Sequence, residues 1–424
     1  MAKPIRAVAT VAVAALALAA CGGGGSSSGG SSSGGGDGTT LIISSDLPLQ
    51  GSSKDASEST NNAIKLYLKE HGNKAGKYNI EFKAYDDSTA AKGQWDDATC
   101  SQNATKHVAT ANEVAIMGTY NSGCAKLEVP TLNQDPKGPM LMVSHANTNP
   151  GLSKSWDPGE PDKYYPTGKR NYARVVTTDD YQGAAAADFL AKDKGIKSVY
   201  VLNDNQTYGQ GVARSFVAQA QKDGITVLGN DAWDAKATNY TAVFQGISAK
   251  KPDAIYLAGI YDNNGGQLVK DKVAVLGDNA KVPMMGPDGF TGYPDLNKLP
   301  QSQGMYLTFT GLSIDQLISA GGPAKTLLDD YQKTYGQPLK TNYALYGVAA
   351  VQVMLAAIEK SDGTRKGVRD QVFSGSGVTI PASDSIIGKE IKIDPQTGDT
   401  NNKDITVEII KDNTETFLKA QPVQ

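Results

Sequence analysis

Six short polar segments, SDLPLQGSSKD, GTYNSGC, SHANTNP, NDNQTYGQG, AGIYDNNGG and GPDGFTGY, gather residue types that could do chemistry. They offer hydroxyls, amides and carboxylates beside glycine backbone, a set suited to holding a small polar ligand. The arrangements that reactions need are missing. Outside the Gly/Ser run of residues 22–36 the sequence has no Gly-x-Ser-x-Gly elbow, and it has no His-Glu-x-x-His zinc motif and no Walker A loop. Its histidines, His71, His107 and His145, stand far apart without a ligand partner nearby in sequence; the first two read as solvated or structural. Gly209-Gln-Gly211-Val-Ala-Arg214 imitates a dinucleotide loop, but Arg214 stands where a third glycine would let the helix approach the strand. No enzymatic activity, metal or cofactor is expected.

What would position these segments is a repeated rhythm of apolar strand, polar loop and amphipathic helix. The strands are TTLIISS, YNIEFKAY, EVAIMG, PMLMVS, YARVV, KSVYVLN, ITVLG, DAIYLAG and KVPMMG. Most are short runs rich in Val, Ile and Tyr, as in sheets covered on both faces. Between them, Ala63, Ile64, Tyr67 and Leu68 share one helical face and Gly72 can end the helix. Such alternation predicts an α/β chain with parallel sheets and right-handed crossovers. Late in the chain, IIGKEIKID and DITVEII predict a hairpin around DPQTGDTNNKD. In open sheets of this kind ligands sit beyond the carboxyl ends of the strands, where helix N-termini offer free N–H groups. Six polar loops in register, three from each of two stretches, predict two facing sets of strand ends with a cleft between.

The chain begins differently. Lys3 and Arg6 precede an apolar run, Ala7 to Ala20, which reads as a secretory signal over residues 1–20. The run is too short to span a bilayer, which takes about 20 residues. Leu18-Ala19-Ala20-Cys21 looks like a bacterial lipobox, so Cys21 is expected to carry lipid. Fifteen residues of Gly and Ser follow it, making 21–38 a flexible tether that reaches roughly 20 Å. A formal net charge of −3 gives no basic footprint for nucleic acid. Only Cys100 and Cys124 remain after Cys21, and an even pair in an exported chain suggests a disulfide.

Taken in order, DLPLQGSS, YDDS, the Gly-Thr-Tyr-Asn-Ser-Gly loop, VSHANTNP, NDNQTYGQGVARSF, AGIYDNNGGQ and MGPDGF make the chain resemble the type I periplasmic solute-binding proteins of the leucine/isoleucine/valine-binding family, from about Thr39 to the end. The resemblance implies two Rossmann-like lobes, 39–173 plus 309–384 and 174–308 plus 385–424, joined by three crossovers and closing on a hinge. It implies a small-molecule ligand, an amino acid in the first place, and an ABC permease that receives it at the outer face of the bacterial cytoplasmic membrane. Ser122 and Thr148, with nearby backbone N–H groups such as that of Gly123, then match the positions that hold an α-carboxylate. Ala146 matches a carbonyl that takes the α-ammonium, Asp288 the acid that pairs with it, and Tyr208 and Tyr261 the residues that close the cleft. His145, Asn147, and Lys54 or Asp55 depart from the pattern toward greater polarity. Ile260 competes with Tyr261 because the AGIYDNNGG loop is one residue longer. Urea, a short amide or another small polar ligand, and a sensor in place of a transport receptor, remain the alternatives.

Overall fold

The computed structural model describes residues 38–422. The expected signal segment, Cys21 and nearly all of the tether lie outside them. The first sheet runs in the order Lys74–Ala75, Tyr78–Asp86, Thr40–Leu47, Glu113–Gly118, Leu141–Ser144, Tyr172–Arg174. All its pairings are parallel except that of the short edge strand Lys74–Ala75. Its central strands are continuous apolar runs because helices cover both faces; Ile43, Ala115, Ile116, Met117 and Leu141 are fully buried. The second sheet runs Thr226–Ala232, Ser198–Asn203, Ala254–Ala258, Met284–Gly286, Tyr306–Phe309, Ile405–Lys411, Thr414–Gln421. Its first five strands are parallel and the last two antiparallel. The fold is therefore two Rossmann-like α/β layers, as the sequence rhythm predicts.

The predicted late hairpin does not form. Ile391–Lys392 pairs with Thr379–Ile380, and Ile405–Lys411 pairs with Tyr306–Phe309 and Thr414–Gln421. The turn that forms is Asp412-Asn413, both at positive φ, the two-residue connection whose twist suits a hairpin. The long Asp394–Lys403 stretch holds only a single bridge, Ile393 to Thr400.

One buried cluster joins the first sheet to the helices Pro323–Tyr335 and Tyr343–Glu359. Ile386, Ile387, Ile391 and Ile393 lie in that same cluster. We therefore assign the stretch through Thr400 to the first lobe and propose the last crossing near Asp404, in place of 385.

Cys100, on the helix Asp97–Ala109, and Cys124, on the helix Ser122–Asn133, form a disulfide with Cα atoms 5.6 Å apart. It closes a sequence separation of 24 residues, which stabilises by about 3.5 kcal/mol in the chain-entropy model. The double variant Cys100→Ser/Cys124→Ser is expected to lose roughly that much in urea unfolding. A loss below about 1 kcal/mol would mean that the two helices hold together without the bond.

Candidate functional site

In each sheet the strand order reverses beside the first strand of its parallel series, and the loops that follow those strands face each other. Tyr120, Asn121, Ser122 and Ala146 reach the gap from the first lobe, and Tyr208, Ile260, Asp288 and Gly289 from the second. With Tyr343, at the start of its helix, they line a cavity of about 20 Å³.

Ser122 opens the helix Ser122–Asn133, so its hydroxyl stands beside the unpaired N–H groups of a helix N-terminus. Its Oγ accepts from the Asn149 N–H at 3.3 Å. Gly123 follows within the same first turn, where a Cβ would lie 2.5 Å from the Trp95 ring, so only glycine fits. Thr148 is buried, and its Oγ1 finds no partner among the described residues. The 147–149 loop is held from beneath by the fully buried Arg174. Its Nη1 donates to the carbonyls of Asn147 and Asn149, both at 2.9 Å, its Nη2 to Ser153 Oγ, and its Nε to Asp399 Oδ1 at 2.8 Å.

Asp288 is the acid of the cavity. The hydroxyls of Tyr208 and Tyr343 donate to its two oxygens, and Thr310 Oγ1 donates to Oδ2 at 3.3 Å. Tyr208 also accepts from the Gly289 N–H at 3.1 Å. Burial raises the Asp288 carboxyl above the usual range, and the tyrosine hydroxyls act against that shift. A second acid, Asp179, opens the helix Asp179–Asp188 and is completely buried. Neither of its oxygens has a partner among the described residues. Burial, then the charge of Asp288, push its carboxyl well up. Beside these acids His145 is held neutral, with burial pushing it down to about 3. Its ring meets Tyr120 and Tyr343 edge-on at 5.7 and 5.8 Å, and neither ring nitrogen has a partner among the described residues.

Of the residues expected from the sequence, Ser122, Ala146, Tyr208 and Asp288 line the cavity, and Ile260 does so in place of Tyr261. Tyr261 instead packs on Tyr293 and Phe290 outside it. The reason is the buried Asp204, whose Oδ2 accepts from the N–H of Ile260 and Nδ2 of Asn263 and so turns the longer loop. Gly209 serves the same carboxylate, since a Cβ there would lie 2.1 Å from Asp204 Oδ1; the dinucleotide-like glycines make room for an acid. Lys54 and Asp55 stay at the surface, paired with Glu58 and Lys340. Tyr120, Tyr343, Asp179 and Arg174 were not foreseen. Only Asp179 carried a signal, as an acid where a strand runs into a helix.

The lobes also bond directly across the gap. Ser53 donates its N–H and Oγ to Asp262 at 3.0 and 2.8 Å, Gln94 Nε2 donates to Asn263 at 2.7 Å, and Asn149 Nδ2 to the Thr207 carbonyl at 3.2 Å. At the rim, Arg214 pairs with Asp157 at 2.8 Å and stacks on Trp156 at 3.8 Å. Such a surface can hold a ligand by many polar contacts and release it when the lobes part.

The periplasmic binding protein family matches residues 47–410 of this chain. A Leu/Ile/Val-binding protein of Rhizobium johnstonii is 26% identical over 303 residues, which are 66% of this chain and 71% of that protein. The branched-chain amino acid transporter substrate binding protein of Streptococcus pneumoniae, solved with isoleucine, superposes with a TM-score of 0.72 at 18% identity, covering 91% of this chain and 100% of that one. A solute binding protein of an ABC transporter from Rhodopseudomonas palustris, solved with p-hydroxybenzoic acid, gives 0.73 at 18% identity, covering 90% and 98%. At such identities the two structures speak for the fold alone.

Proposed function

The chain belongs to the periplasmic binding protein family, and from that premise we propose that it is an extracytoplasmic receptor that binds an amino acid between its lobes and delivers it to an ABC permease. The observation that carries this reading is the division of charge around one cavity. The Ser122 hydroxyl, at the N-terminus of its helix, lines the cavity from one lobe and the buried acid Asp288 from the other, with Thr148 and the buried Asp179 side by side behind the lining. A zwitterion satisfies both, because a buried charge is costly unless paired. Ser122, Thr148 and the Gly123 N–H take the carboxylate. The Ala146 carbonyl and Asp288 take the ammonium, and Tyr208 and Ile260 close over the ligand. An aromatic acid such as the one in the Rhodopseudomonas structure carries no ammonium for Asp288 and Asp179. Urea or a short amide would also leave the acids without a cation. A cavity of about 20 Å³ holds little more than one water-sized group, so an amino acid enters by separation of the lobes about their hinge.

Calorimetry with a panel of amino acids and their amides and decarboxylated analogues tests this. Free α-amino acids are expected to bind, and either modification to abolish tight binding. Unchanged affinity for an amide or a decarboxylated analogue would replace the amino-acid reading with a ligand of different charge.

The anchor is part of the same proposal. Among the described residues no helix is long and apolar enough to cross a membrane, and Cys21 follows the lipobox pattern Leu18-Ala19-Ala20. One acyl chain binds membranes only marginally, so Cys21 is expected to carry two or more. Cys21→Ser should leave the precursor uncut or release the protein from the membrane fraction. A variant cut and retained as the parent is would refute the anchor and leave the receptor reading standing.

A further inference from the structure

Behind the ligand loops of the first lobe lies a second concentration of acid, which the binding site does not use. Asp46 ends the strand Thr40–Leu47, His107 lies on the helix Asp97–Ala109, Glu113 begins the strand Glu113–Gly118, and Glu128 lies on the helix Ser122–Asn133. Asp87 stands beside them, and all five side chains are completely buried. The nearest guanidinium, Arg365, is engaged with Asp135 and with the backbone carbonyls of His107, Val108, Thr110 and Glu113. Four buried carboxylates thus lie in one region with a single imidazole, which Asp46 and Glu113 contact directly. Buried charges of this kind are paired or bind metal.

The geometry distinguishes these outcomes. His107 Nδ1 lies 2.7 Å from Glu113 Oε1, which also accepts from Ser44 Oγ. With hydrogen on Nδ1 for that contact, Nε2 is left to turn a lone pair inward, the carboxylate–histidine arrangement that backs metal-bound imidazoles. Nε2 lies 3.3 Å from Asp46 Oδ2. That is long for a charge-assisted hydrogen bond, which runs about 2.7–2.9 Å. It equals the edge of a tetrahedron whose bonds are about 2.0–2.1 Å, the length of zinc bonds to nitrogen and oxygen. Asp46 is oriented from its other side by Asn103 Nδ2, which donates to Oδ1 at 3.0 Å. One ligand atom from each of Asp46, His107 and Glu128 lies within 4.8 Å of the others. Glu128 Oε2 is completely buried and unpartnered among the described residues, as is Oδ1 of Asp87. Asp87 with Cys100 and Cys124 makes no comparable set, because both sulfurs are spent in the disulfide.

We propose that Asp46, His107 and Glu128 form a site for one divalent transition cation, zinc fitting best, with Glu113 and Asn103 orienting the ligands. The cation joins the strand that leads into one ligand loop to the helix that begins at Ser122, and the disulfide ties that helix to the one bearing His107. Since the site is closed to solvent, metal enters as the lobe folds. The role is structural, and it stands whether or not the ligand of the cleft is an amino acid.

The test is elemental analysis of the full-length protein purified without chelator, followed by melting of protein unfolded in chelator and refolded with or without zinc or manganese. About one equivalent of metal per chain is expected, with a melting temperature that falls on removal and recovers on return. Glu128→Gln keeps the side-chain shape and should lose the metal while retaining its circular dichroism. Glu113→Gln, which touches the imidazole and Ser44 but is not itself a ligand, should weaken zinc by about 10- to 100-fold. Protein that is metal-free as purified, and whose melting neither cation changes, would overturn the proposal. So would a Glu128→Gln variant that retains a full equivalent.

Discussion

Asp288→Ala is expected to weaken amino-acid binding by roughly 30- to several-thousand-fold, equivalent to about 2–5 kcal/mol. The loss has two parts. The ligand's ammonium enters a closed, buried site without its anion, and the Tyr208 and Tyr343 hydroxyls lose the acceptor that aims them. In the ligand-free protein the same substitution relieves the repulsion of Asp179 but leaves buried hydroxyls without an acceptor, so stability is expected to change by no more than about 1–3 kcal/mol. The pH dependence follows from linkage. Both carboxyls are held above their unfolded values, so the folded state binds more protons than the unfolded one as pH rises above about 4. The ligand-free protein therefore loses stability with rising pH until both groups have ionised. Calorimetry and urea unfolding on one preparation separate the two effects. A variant that binds as tightly as the parent would remove Asp288 from the site. One that is much less stable without ligand would make it a structural acid.

Arg174→Met should cost about 3–5 kcal/mol of stability, the range found when one partner of a buried pair is removed. The guanidinium satisfies Asp399, two loop carbonyls and a serine hydroxyl at once, and a thioether satisfies none of them. Arg174→Lys should rescue little, because one ammonium cannot reproduce the planar fork. The carbonyls concerned flank Thr148, so affinity should fall together with stability, even though Arg174 does not line the cavity. Urea midpoints and binding isotherms of both variants check this. A loss below about 1 kcal/mol in Arg174→Met would show that the loop is held by other contacts.

The alternation of apolar strands with amphipathic helices was legible in the sequence because local periodicity records which face is buried, and it sufficed for two parallel α/β layers. Ser122, Ala146, Tyr208 and Asp288 were legible through the family resemblance, which matches the segments after strands; Ser122 and Tyr208 stand in the first turn of the helix that follows. Residues that approach the cavity from elsewhere were not. Tyr343 begins a helix some 55 positions beyond the Asp288 it meets, and Arg174 ends a strand 225 positions before its partner Asp399. The choice of Ile260 over Tyr261 depended on a bond from Asp204, in a different loop. The late hairpin was misread for a related reason: two apolar stretches close in sequence each found a better partner strand elsewhere. The chain likewise shows no metal spacing among Asp46, His107, Glu113 and Glu128, which lie on four elements. A sequence records what each segment buries. Which distant side chains then share the buried space depends on the packing of whole elements, where three-dimensional distance no longer follows position along the chain.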